Sequence, residues 1–173
     1  MIHEMNVRFN EDGSVTWEAM VGYLADMLRM IPQFATPDSS SSSSMRFYPD
    51  PTTDDSEETR ELNEDWKDLV KPELFDLFAS AVEVVQKDLK QIDWTEEELG
   101  SITIPKEHID AWLNALNQAR INLASRYGLL EQELEHIPKH PMENPGDLAK
   151  FQIHFMGMLQ ETLLSSWERD SEE

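Results

Sequence analysis

Between Ile109 and Tyr127 the apolar residues return every three or four positions. Ile109, Trp112, Leu113, Leu116, Leu123 and Tyr127 share one face at about 100° per residue and predict the clearest helix of the chain. Arg120 falls ~20° from the centre of that face. If the face is buried, its guanidinium requires a partner. Pro105 stands where the helix would open, and Gly128 where a left-handed cap would close it.

The other segments divide by period. Asn6 to Thr16 places two short β-capable pieces around Glu11-Asp12-Gly13, a turn signal that predicts a small hairpin. From Trp17 the spacing becomes helical through Met20, Val21, Leu24, Met27, Leu28 and Ile31, with Thr16 as N-cap and Pro32 close to the stop. A six-serine tract among prolines then denies both periods, so residues 35–53 are expected to form a flexible loop. Leu62, Trp66, Leu69 and Val70 draw a narrow stripe on an acidic, mostly solvated helix capped by Asp55 or Ser56. Pro72 starts a greasier helix through Leu74, Phe75, Leu77, Phe78, Ala81, Val82, Val84, Val85 and Leu89, whose wide apolar arc predicts a place near the core.

Ser101 to Pro105 reads as one extended segment, and Glu131 to Ile137 as a turn or two. Asn144 or Asp147 caps a last helix in which Leu148, Phe151, Phe155, Met156, Leu159, Leu163, Leu164 and Trp167 span more than half the cylinder. Such a helix contacts several neighbours or a partner chain, which makes a homodimer an expectation. The pattern as a whole predicts a mainly α fold. It would be a single-domain helical bundle of about five helices with a small N-terminal β-hairpin, spanning residues 1–173 and ending in an acidic tail at 168–173.

Composition narrows the function classes. With 173 residues, 39% of them apolar, the chain can bury a real core as one domain. It has no cysteine, which excludes disulfides, thiolate nucleophiles and iron–sulfur clusters. Thirty-five acidic residues against 14 basic ones give a formal charge of −21, which repels phosphates and anionic membranes, and no basic patch offsets it. No apolar run approaches the roughly 20 residues that span a bilayer, and the N-terminus has no export signal. The expectation is a cytoplasmic protein with no membrane association and no direct nucleic-acid contact.

The candidate chemistry gathers at Arg120. Asp65 is the first choice for a buried ion pair with it and Glu58 the second, with Asn117, Gln152 and Gln160 as auxiliary acceptors; such a pair would fix helix register. His136 and His140 have the spacing of helical metal ligands, but Pro138 intervenes and no third ligand is fixed, so they read as surface histidines. Lys106-Glu107-His108 reads as a helix beginning. Carboxylates are too abundant for their pairing to be diagnostic, and phosphate-binding glycine loops and nucleophile elbows are missing. No cofactor, metal or catalytic residue is predicted.

The hairpin, the run RFYPDPTTDDSEETRELNEDW, the segment ITIPKEHIDAWLNALNQARINLASRYGL and the closing MLQETLLSSW together resemble the bacterial domain-of-unknown-function family DUF2017. Trp112, Leu113, Leu116, Asn117, Arg120, Leu123 and Arg126 carry the sharpest part of the likeness. The resemblance implies a mainly helical fold and no established activity. Three functional readings follow. The first is a non-catalytic protein-interaction or regulatory module with an unidentified protein partner. The alternative is an enzyme or small-anion-binding protein with a site at Asn117, Arg120 and Arg126, which demands a concave pocket reaching Arg120. A transcriptional regulator comes third, because the net charge opposes DNA contact.

Overall fold

The computed structural model describes residues 5–36, 51, 52, 54 and 56–170. Most of the loop expected at 35–53, and the end of the acidic tail, lie outside the described residues. The chain opens with the predicted hairpin, in which β1 (Asn6–Phe9) and β2 (Val15–Met20) pair antiparallel. Gly13 takes the left-handed conformation of the turn at φ 80°. Beside it Asp12 Oδ1 accepts from the Ser14 hydroxyl at 2.6 Å and the Ser14 amide at 3.0 Å. The two hydrogen bonds hold the Asp12 carboxyl below the usual carboxylate range.

The hairpin is half of a larger sheet. Asp93–Trp94 (β3) and Gly100–Ile104 (β4) complete four antiparallel strands in the order β1-β2-β4-β3, so the expected lone extended segment is an interior strand. β2 also runs further than its spacing suggested, and the first helix does not begin at Trp17. Ala19 adopts φ 57°, and the pairing with β4 slips between Trp17 and Met20. This bulge adds a residue to the strand, so Val15, Trp17 and Met20 all face the core and the last two acquire an i, i+3 separation that imitates a helix. Thr16 is therefore no N-cap; its hydroxyl bonds Thr103 across the sheet at 2.9 Å.

Four helices complete the described residues, one fewer than expected. α1 spans Gly22–Ala35 and passes through Pro32 without stopping. Ile31, Pro32, Phe34 and Ala35 are all buried there, and that packing outweighs one lost amide donor in the last turn. α2 occupies 57–89 as a single rod: an α-helical Glu57–Asp65, a π-turn Trp66–Val70 and an α-helical Lys71–Leu89. Ser56 caps it by accepting from the Thr59 amide. Pro72 was expected to separate two helices here. The π-turn, closed by the Lys71 amide on the Trp66 carbonyl, widens the backbone just ahead of the proline, and the rod continues. α3 is Ile109–Arg126, entered from Pro105 through a 3-10 turn and ended at Gly128, φ 60°. After it the Leu129 amide reaches the Ala124 carbonyl at 2.9 Å, the long bond of a Schellman cap. α4 is Pro145–Asp170, whose first turn is capped by Asn144 Oδ1 on the Asp147 amide at 2.8 Å.

One apolar cluster joins these parts. α3 lies centrally, packed against α1, α4 and the C-terminal half of α2, and α4 also touches β2. At the centre the Trp17 and Trp112 rings meet edge to face with centroids 5.3 Å apart. Trp17 Nε1 donates to Thr162 of α4 at 3.0 Å, so sheet and helices are tied by polar as well as apolar contact. Phe151, Ile153, Phe155, Met156, Leu159 and Leu163 of α4 are all buried within the chain, which leaves Leu164 and Trp167 of its apolar arc exposed. α2 differs from the expectation of a core helix. Only Ala81, Val85, Asp88 and Leu89, in its last turns, are buried.

Candidate functional site

Arg120 crosses from α3 to α4 over Gly157. A glycine inside a helix costs roughly 1 kcal/mol against alanine, and here its bare backbone admits the guanidinium. A Cβ at Gly157 would stand 3.5 Å from Arg120 Cζ and Nη2. One turn further along α4, Gln160 Oε1 accepts from Arg120 Nη1, and Gln160 Nε2 donates to the Leu113 carbonyl at 3.3 Å. Arg120 Nε is buried without an acceptor. No carboxylate among the described residues pairs with this cation.

The expected ion pair is therefore replaced by a neutral amide. Asp65 and Glu58 are both solvent-exposed on the N-terminal half of α2, which does not pack on α3. The narrow stripe of Leu62, Trp66 and Leu69 had suggested that it would. Of the auxiliary acceptors, Gln160 serves. Asn117 is exposed and Arg126 lies exposed at the end of α3, so neither joins Arg120 in one site.

Beside the guanidinium lies a cavity of about 340 Å³, lined by Arg120, Ile137, Phe151, His154, Phe155, Gly157, Met158 and Glu161. Its size falls at the lower end of the roughly 300–1,000 Å³ of small-molecule sites. His154 Nε2 is buried and unpartnered, as Arg120 Nε is. The side of α4 that carries His154 and Glu161 is thus a cavity wall that Ile137 from the α3–α4 connection helps to enclose. The lining offers cationic and imidazole nitrogens, one carboxylate at an exposed position and several apolar surfaces. It contains no hydroxyl or thiol nucleophile, and among the described residues no group of three or more His, Asp or Glu is placed to hold a metal ion.

The family described as Domain of unknown function (DUF2017) matches residues 5–167. This chain belongs to the DUF2017 family. No similar curated protein and no similar solved structure was found.

Two further features of this DUF2017 member escaped the sequence reading. Asp88, buried on α2, accepts from Trp112 Nε1 at 2.8 Å and faces His108 Nδ1 at 3.0 Å from both oxygens. It recurs with Ala81 and Val85 at the spacing of the buried face, a signal that was present but reads as an interruption of an apolar stripe. Asn122 Nδ2, likewise buried, donates to the Phe34 carbonyl at 2.7 Å and holds the end of α1 against α3.

The N-terminal part of α2 forms the remaining surface of note. From Glu57 to Val70 its main contacts among the described elements are within the rod itself. Leu62, Leu69, Phe75 and Leu77 on it are each more than half exposed. Around them stand Glu57, Glu58, Glu61, Glu64, Asp65, Asp68, Glu73 and Asp76 against Arg60, Lys67 and Lys71.

Proposed function

We propose that this protein is a non-catalytic interaction module whose α2 arm docks a basic, amphipathic segment of a partner protein. The carrying observation is the arm itself, which leaves Leu62, Leu69, Phe75 and Leu77 more than half exposed ahead of the buried last turns of α2. Large apolar side chains that stay more than half exposed on one element suit a helix-in-groove or helix-on-helix contact. The surrounding carboxylates select the partner's charge: lysine or arginine flanking an apolar face would be attracted, and a second copy of the same arm repelled. The family description adds no activity to this reading.

Titration of the isotopically labelled chain with a synthetic Lys/Leu amphipathic helix tests this reading. The expected result is saturable NMR shifts concentrated at residues 57–80, lost in the Leu69→Asp, Phe75→Asp double variant and weak for a scrambled peptide of equal charge. Equal shifts for the scrambled peptide, spread over the whole acidic surface, would sink it.

A further inference from the structure

The arm does not involve the Arg120 cavity, which raises a separate question. A guanidinium carries five N–H donors and a charge that burial makes expensive to leave uncompensated. Arg120 gives one donor to the neutral Gln160, keeps Nε buried without a partner, and has no counter-ion among the described residues. Each unpaired buried N–H costs about 1–3 kcal/mol, and His154 Nε2 adds a second such group one helical turn from Gly157 on the same cavity. Both nitrogens belong to residues that line this one cavity, whereas the other unpartnered buried atoms among the described residues, on Asn63, Trp66 and Gln118, belong to residues outside it; buried polar groups in folded proteins are overwhelmingly paired, so each of the two calls for a partner.

We infer that this cavity binds a small monocarboxylate with an apolar body, the carboxylate meeting Arg120 and His154 and the body packing on Phe151, Phe155 and Met158. The chemistry of the wall selects this class. A guanidinium matches a carboxylate in geometry and charge, and His154 as its Nε2–H tautomer supplies a further donor. The carboxylate of Glu161 and the formal charge of −21 oppose a phosphate dianion more than a monoanion. Ile137, Phe151, Phe155 and Met158 reward an apolar tail, which inorganic anions lack. At Gly157 an added Cβ would already reach van der Waals contact with the guanidinium, 3.5 Å from Cζ and Nη2, so longer side chains there would crowd it.

Heteronuclear NMR of the full chain, following the arginine Nε–Hε resonances and the backbone amides, tests the site with hexanoate as probe. Hexanol and inorganic phosphate isolate the tail and the charge. The expected result is saturable movement of the Arg120 Nε–Hε signal and of amides 151–158 with hexanoate, at least about tenfold weaker for either control and for Arg120→Met. Absence of saturation at millimolar hexanoate overturns the proposal. So does equal response to hexanol, or an unchanged affinity in Arg120→Met. Should that variant fail to fold, the contrast between hexanoate and its two controls on the unaltered chain decides alone. Strong energetic coupling between Arg120 and Glu161 in a double-mutant cycle, without any hexanoate response, would instead assign Glu161 as the internal counter-ion and likewise overturn the site.

Discussion

Two polar clusters sit on α3, and they are built to opposite rules. At its N-terminal end Trp112, with His108 just ahead, meets Asp88, and the shared carboxylate is the acceptor for both partners. Further along, Arg120 meets one amide and keeps a buried nitrogen unpaired beside a cavity. The first cluster is closed. Its groups satisfy one another, so it specifies how α2 docks on α3. The second is open, and its unspent donors contribute nothing to the fold as it stands. Polar satisfaction, more than burial, separates a structural pin from a candidate site in this molecule.

Substitutions sharpen the contrast. The largest effect is expected for Asp88→Ala, which strands the buried Trp112 N–H and removes the His108 contact; chemical denaturation should show a loss of about 3 kcal/mol. Gly157→Ala should move stability the other way by up to about 1 kcal/mol, because the new Cβ meets the guanidinium at ordinary contact distance, 3.5 Å, and helix propensity improves. A thermal melt that falls instead would show the contact to be tighter than its geometry implies. Combining Arg120→Met with Asp65→Leu should give additive free energies within about 0.5 kcal/mol, as expected for residues that share no contact. Coupling well beyond that would restore the ion pair that the structure replaces. On the arm, Leu69→Asp should change stability by no more than about 0.5 kcal/mol, since its side chain is mostly exposed, and Phe75→Asp by more, roughly 1 kcal/mol, because Phe75 also lines a pocket with Ala35 and Gln118.

The smallest effect concerns pH. Hydrogen bonds to Ser14 stabilise ionised Asp12 and depress its folded-state pKa. Its contribution is therefore present above the unfolded pKa of about 3.9 and disappears as pH falls through the lower folded value. Unfolding curves of Asp12→Asn and the parent chain should differ slightly at neutral pH and converge in acid.

How much of this was legible in the sequence depended on whether periodicity and local backbone agreed. α3, α4, the hairpin turn and the caps at Ser56, Asn144 and Gly128 follow from patterns in which they do. Trp17 and Met20 misled because a bulge at Ala19 gave strand residues a helical spacing. The number of helices was overcounted at Pro72 because a π-turn, which leaves no mark in hydrophobic periodicity, carries the rod through. The reach of α2 was hidden for another reason. Apolar content indicates that side chains prefer contact, but not whether this chain or a partner supplies it, so Phe75 and Leu77 resembled core residues.

At the site, the position of Arg120 on α3 was readable, and so was its need for a partner. Which partner it finds was not, because Asp65 and Glu58 reach α3 only if the arm folds back, and that depends on tertiary packing. The cavity was equally hidden, since Ile137 and α4 are brought together over Arg120 by a connection with no regular period of its own.

The most direct test of the closed and open clusters is a side-by-side urea unfolding of Arg120→Met and Asp88→Ala. Removing the guanidinium deletes a charge with no counter-ion among the described residues and an unpaired donor along with the Gln160 bond, so Arg120→Met should stay within about 1 kcal/mol of the parent while Asp88→Ala loses about 3. Equal and large losses in both variants would contradict the account and make Arg120 a fold-specifying residue like Asp88.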